Sequence, residues 1–185
     1  MVPGSTKLLI DQNVTADILR RVTSDVISTM LDLPVNAGEH YTETQPPERS
    51  EGIVSFVGLA GGECAGTGSL HCGSDAACRF ASQFLMSELS AVDDEVLDAF
   101  GELTNMIIGN FKNEIELHTG PMGLSIPTVI HGRNFSTRSL GRDEWTVVPF
   151  QCGDDRLNVK VCLKTRQTQA PAPHHGDRHE LVLGL

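Results

Sequence analysis

The 185-residue chain has a formal net charge of −10, with 39% apolar and 21% charged residues, the balance of a globular protein of one domain. So acidic a chain repels nucleic acid and anionic membrane, and a single Trp and a single Tyr leave little surface on which bases could stack. No run of about 18 apolar residues is present, and the leading MVPGSTKLLIDQN lacks the features of a signal peptide, so the expected location is the cytoplasm.

Residues 1–10 read as a short lead-in. From Asn13, an expected N-cap, the apolar positions Ile18, Leu19, Val22, Val26, Ile27, Met30 and Leu31 recur at helical spacing until Pro34 stops them. Val35–Ser50, with Gly38, Pro46 and Pro47, reads as a loop with room for a short extended piece, in which His40 and Tyr41 either line a site or are simply exposed. Strands over Ile53–Leu59 and Glu63–Cys72 follow, joined as a hairpin across Gly61-Gly62. The glycines of this hairpin precede no Gly-Lys-Ser/Thr and open no G-x-G-x-x-G, so turns and close packing explain them better than a nucleotide loop does. Ser74 is an expected N-cap for a helix that turns Ala77, Phe80, Ala81, Phe84 and Leu85 inward.

The next helix, over Val92–Glu116, is the most informative stretch. Val96, Leu97, Phe100, Leu103, Ile107, Ile108 and Phe111 gather on one broad face at about 100° per residue. On the opposite face Asp98, Glu102, Asn105 and Gly109 form one row, with Gly101 at its margin. Mid-helix Asn costs about 0.6 kcal/mol and Gly about 1 kcal/mol relative to Ala. The row is either a solvated face with tolerated glycines or a surface kept for use. Asp93, Asp94 and Glu95 suit the positive end of this helix, and Gly120-Pro121 closes it.

Three strands complete the pattern: Gly123–His131, Trp145–Cys152 and Arg156–Lys164. Pro127 marks an edge, a strand start or a bulge in the first. In the last, Leu157, Val159, Val161 and Leu163 alternate with polar residues, and Gly153-Asp154-Asp155 forms the turn before it. Arg133, Arg138 and Arg142 make a basic loop in an acidic chain, which either meets an acidic partner or is a solvated hairpin connection. From Gln167 the chain is rich in Pro, His and polar residues. Residues 166–185 are therefore expected to be a disordered tail, dispensable on truncation after Arg166, and residues 11–165 the domain. His174, His175 and His179 in that tail have no packed surroundings that would make a metal site, and none is expected. Cys64, Cys72, Cys78, Cys152 and Cys162 form an odd set without a C-x-x-C pair, which predicts reduced thiols rather than disulfides or structural zinc. Alternating strands with segregated helices indicate an α+β domain, an antiparallel sheet with three helices packed on one face.

An exposed carboxylate such as Glu102 is a poor general base at neutral pH, and the Asn105 amide does not titrate but both donates and accepts hydrogen bonds. Together they suit positioning, which is most of what phosphoryl transfer requires.

The pattern Asp98-x-x-x-Glu102-x-x-Asn105, with Gly109 four residues on and Pro127 in the next strand, resembles the signature of the CheC/CheX family. These are bacterial phosphatases that dephosphorylate the response regulator CheY. CheC carries two such motifs and this chain one, so the similarity is to CheX. The resemblance implies the same α+β layout and hydrolysis of the aspartyl phosphate on a CheY-like receiver. Asn105 would orient the attacking water, Glu102 would grip the receiver's Lys, Asp98 would support them, and Gly109 would allow close approach. It further implies no cofactor on this chain, Mg²⁺ on the phosphorylated receiver, and a homodimer formed through a sheet edge. A non-catalytic receiver-binding module, or a flagellar-switch or structural module on the same fold, is the alternative.

Overall fold

The computed structural model describes residues 10–44, 49–137 and 143–165. The expectations for the lead-in before Ile10, for Pro46 and Pro47, for Arg138 and Arg142, and for the tail 166–185 with its histidines lie outside the described residues.

In chain order the described elements are α1 (Gln12–Leu31), β1 (Val35–Ala37), β2 (Tyr41–Glu43), β3 (Ser50–Gly61), β4 (Cys64–Cys72), α2 (Ser74–Leu85) and α3 (Asp94–Thr119). After them come β5 (Met122–Leu124), β6 (Thr128–Phe135), β7 (Trp145–Cys152) and β8 (Asp155–Thr165). The strands form one sheet in the order β1-β7-β8-β4-β3-β5, with β2 also on β7 and β6 also on β3. Every pairing is antiparallel. The three helices pack on one face of it, as an α+β layout requires.

The alternation of β8 decides which face that is. Leu157, Val159, Val161 and Leu163 enter the core with Ile53, Val57 and Leu59 of β3 and Val148 and Phe150 of β7. The opposite parity of β8 carries Lys160, whose Nζ donates to Glu43 at 2.9 Å and lies 5.0 Å from the centre of the Trp145 ring. On the helix side α1 contributes Leu19, Val26 and Ile27, and α3 contributes Phe100, Ile107, Ile108 and Phe111, all nearly without solvent contact. A bidentate ion pair ties α2 to the start of β8: Arg79 Nε donates to Asp155 Oδ2 at 2.6 Å, and its Nη2 to Oδ1.

Several local expectations are corrected. The N-cap of α1 is Asp11, not Asn13; the Asp11 carboxylate accepts the Asn13 N–H at 2.6 Å. Helix α1 ends at Asp32, in the left-handed conformation at φ 51°, before Pro34 is reached. The N-cap of α2 is Gly73, and the Ser74 hydroxyl instead lies 3.3 Å from His131 Nε2. Leu85 is 41% exposed rather than inward, because it sits on the last turn of α2. The expected loop 35–50 has not one short extended piece but two, β1 and β2, each of three residues and each paired to β7. Arg133 lies in strand β6, not in a loop.

The strand expected over Gly123–His131 is interrupted. Leu59 faces Leu124 and Phe56 faces Thr128, so the two residues 57–58 of β3 lie opposite three, Ser125, Ile126 and Pro127. This one-residue excess is a β-bulge, one of the three roles expected of Pro127.

Candidate functional site

Helix α3 is built to be long and firmly seated. Asp93 caps it by accepting the Val96 N–H at 3.0 Å, and Asp94 and Glu95 meet the positive end of its dipole. At its far end Glu116 accepts from Lys112 Nζ at 2.8 Å and from the Met122 N–H at 2.7 Å. These bonds hold the Glu116 carboxyl below its ordinary range, the Lys112 bond first, and fasten β5 to the helix. Between the ends, Ile108 of α3 sits directly over Gly68 of β4, where an added Cβ would lie 2.6 Å from two of its carbons. The missing side chain lets helix and sheet approach closely.

Seating that face on the sheet turns the other outward. Asp98 and Glu102 are exposed, and Asn105 and Gly109 half-buried. Among the described residues, the side chains of Asp98, Glu102 and Asn105 make no hydrogen bond or ion pair. Mid-helix, a short polar side chain either points to solvent or bonds to nearby backbone. Thr104 beside Asn105 does the second, donating to Phe100 O at 2.8 Å. A carboxylate and an amide three residues apart are thus presented on one line of the helix with nothing among the described residues engaging them.

The bulge segment forms a wall along this row. A Cβ on Gly101 would stand 3.4 Å from Pro127 Cγ and from Val129 Cγ2, and one on Gly109 3.9 Å from Leu124 Cδ2. Residues 124–127 therefore run antiparallel to α3, from Gly109 back to Gly101. The periodicity of α3 shows which face is free, but gives no sign of this wall.

Other residues singled out in the sequence lie elsewhere. His40 and Tyr41 belong to the β7 edge of the sheet, where His40 Nδ1 is 3.2 Å from Arg20 Nη2. Arg133 lines a cleft of about 470 Å³ at the start of α2, together with Arg79, Asp155 and Arg156, and no residue of the row touches that cleft. All five cysteines are free and buried. Burial pushes the Cys72 thiol far up, that of Cys152 to about 12 and that of Cys162 to about 11, so none of these three is a thiolate nucleophile near neutral pH. Among the described residues, no three His, Cys, Asp or Glu side chains converge as a metal site. Nor, among them, is any helix long and apolar enough to cross a membrane.

Residues 53–151, which include the whole of α3, match the family described as chemotaxis phosphatase CheX. The fold recurs in a CheC-like superfamily protein from Shewanella sp. PV-4, at 19% identity and a TM-score of 0.72, over 81% of this chain and 97% of that one. It recurs in the chemotaxis protein CheX of Desulfovibrio desulfuricans, at 22% identity and 0.71, over 81% and 99%. A third relative is CheX of Borrelia burgdorferi, solved as a complex with CheY, BeF3 and Mg²⁺, at 23% identity and 0.68, over 80% and 96%. No curated protein matches the sequence.

Proposed function

The chain belongs to the CheX family of chemotaxis phosphatases, and from that premise we propose that it hydrolyses the aspartyl phosphate of a CheY-like response regulator through the α3 row. The observation that carries this reading is the pair Glu102 and Asn105: outward, in line, and without partners of their own among the described residues. The Borrelia burgdorferi relative's complex with CheY, BeF3 and Mg²⁺ supports a receiver as the partner.

The chemistry asks little of this chain. An acyl phosphate has a good leaving group, the receiver's own carboxylate. A water oxygen attacks phosphorus, the bond from phosphorus to the carboxylate oxygen breaks, and inorganic phosphate departs. What the reaction needs is a water held in line and charge stabilised on the phosphoryl oxygens. Mg²⁺ on the receiver supplies the second. Asn105 supplies the first: its amide oxygen accepts a hydrogen bond from the water and fixes its approach without taking its proton. Glu102, one turn back on the same line, pairs with a Lys of the receiver and sets the register of docking. Asp98 extends the acidic line, and Gly109 leaves room for the receiver's backbone.

The test is phosphate release from a panel of phosphorylated CheY-type receivers. Asn105→Ala is expected to lower kcat about 100-fold with KM little changed, the scale of one lost catalytic hydrogen bond. Glu102→Ala is expected to raise KM through the lost ion pair. Full activity in both variants would remove the row from the mechanism. A wild-type protein that binds the phosphorylated receivers but never speeds their decay would make this a receiver-binding module instead.

A further inference from the structure

Among the described residues, three large apolar side chains are more than 80% exposed: Met86 at 94%, Ile126 at 86% and Leu117 at 83%. Single exposed apolar residues are ordinary and need no account. Ile126 differs from the other two in where it lies and how it is held.

Its position follows from the wall beside the row. Leu124 touches the level of Gly109 and Pro127 that of Gly101. Eight residues of helix span about 12 Å, and three residues of extended chain about 10 Å. Ile126, two of the three steps along, therefore lies level with the stretch of α3 between Glu102 and Asn105. Strict alternation cannot turn both Leu124 and Pro127 toward α3, since they are three residues apart. The bulge makes it possible, and the residue it turns outward is Ile126.

Its backbone is pinned. The Ser125 N–H donates to Gly58 O at 2.9 Å, and the Gly58 N–H donates to Ser125 Oγ at 2.9 Å. The same hydroxyl donates to Ile126 O at 2.8 Å. Pro127 restricts the conformation of the residue before it, and a β-branched side chain has few rotamers. Little freedom is left for Ile126 to lose on contact, the property of a preorganised anchor. Met86 occupies the left-handed cap of α2, and Leu117 the last turns of α3, beyond Phe111; neither borders the row.

We propose that Ile126 is the apolar anchor on which the receiver domain seats while Glu102 and Asn105 engage its phosphorylation site. This rests on the phosphatase reading of the row. An interface of that kind takes its affinity from a buried apolar contact and its register from the charged pair. The bulge places both within one docking footprint, from two different elements of the fold.

The experiment measures binding and turnover separately, with CheY-type receivers activated by beryllofluoride and Mg²⁺ for binding and phosphorylated for turnover. Ile126→Ser is expected to weaken Kd about tenfold, the scale of truncating an interface anchor, and to raise KM alike with kcat unchanged. Met86→Ser and Leu117→Ser are expected to match wild type in all three quantities, and Ile126→Val to recover most of the affinity. An unchanged thermal midpoint in Ile126→Ser certifies its fold. Wild-type Kd in a folded Ile126→Ser, beside an inactive Asn105→Ala, overturns the anchor and leaves the phosphatase reading standing. Binding that weakens with Ile126→Ser while wild type never accelerates dephosphorylation keeps the anchor and overturns the catalytic reading. A wild-type chain that binds no receiver overturns both.

Discussion

The glycines of β4 and those of α3 look alike in the sequence and do opposite things. Gly66 and Gly68 are demanded by packing: an added Cβ would lie 2.3 Å from Cys162 O at the first and 2.6 Å from Ile108 at the second. Gly101 and Gly109 are not, since a Cβ there would find only ordinary contacts, at 3.4 Å or more. The sheet glycines bring strands and helix together. The helix glycines cost stability and make no contact that requires them, which fits either a tolerated cost or a surface kept for use.

The comparison breaks most visibly at Gly68. Gly68→Ala is expected to cost about 1–3 kcal/mol, because Ile108 is fully buried and α3 must shift to admit the methyl. Urea unfolding reads this directly, and Ile108→Val in the same chain should recover part of it. Equal stability of Gly68→Ala and wild type would mean that the close seat of α3 is not needed.

Gly109→Ala should move the other way, gaining up to about 1 kcal/mol of helix propensity and raising the midpoint by a few degrees. If the row is a docking surface, the same change lowers phosphatase turnover while it stabilises the fold. A variant both more stable and fully active would show that Gly109 is merely tolerated. Asn105→Ala sharpens the contrast on a smaller scale, with about 0.6 kcal/mol gained in stability.

The smallest effect concerns what holds the wall in place. Leu124 stands over Gly109 because β5 is clamped to α3 by Lys112 and Glu116. The folded Glu116 carboxyl is held below its ordinary range. Its contribution is therefore complete above the unfolded-state pKa and is lost as pH falls through the lower folded value. Protection of the Met122 and Leu124 amides, relative to intrinsic exchange at each pH, is expected to fall over that acid window in wild type and to stay flat across it in Glu116→Gln.

Much of this was legible before any coordinates. The apolar stripe from Val96 to Phe111 and the row opposite it follow from helical periodicity, and both faces are as expected, Leu97 alone being only partly buried. The span Trp145–Cys152 and the alternation of Leu157, Val159, Val161 and Leu163 are likewise as read. For β1 and β2 only a short extended piece somewhere in a loop was legible, because a three-residue segment carries no alternation and becomes a strand only by pairing with β7. The cap of α1 was misplaced by two residues because Asp11 and Asn13 are equally good capping types, and the geometry of one turn chooses between them.

By itself the sequence determined which residues of α3 share a line, since 100° per residue is a property of the helix and needs no partner. From that line came Glu102 and Asn105, and the kind of chemistry a carboxylate and an amide can do together. Only the tertiary structure decided what stands beside them. The bulge that carries Ile126 to the level of the stretch between Glu102 and Asn105 is one extra residue in the pairing of β5 and β6 with β3. Whether a glycine is required or merely permitted turns on the distance to an atom far away in the chain, as Gly68 and Ile108 show. Register and clearance are set between elements, by pairing and packing that no local pattern encodes.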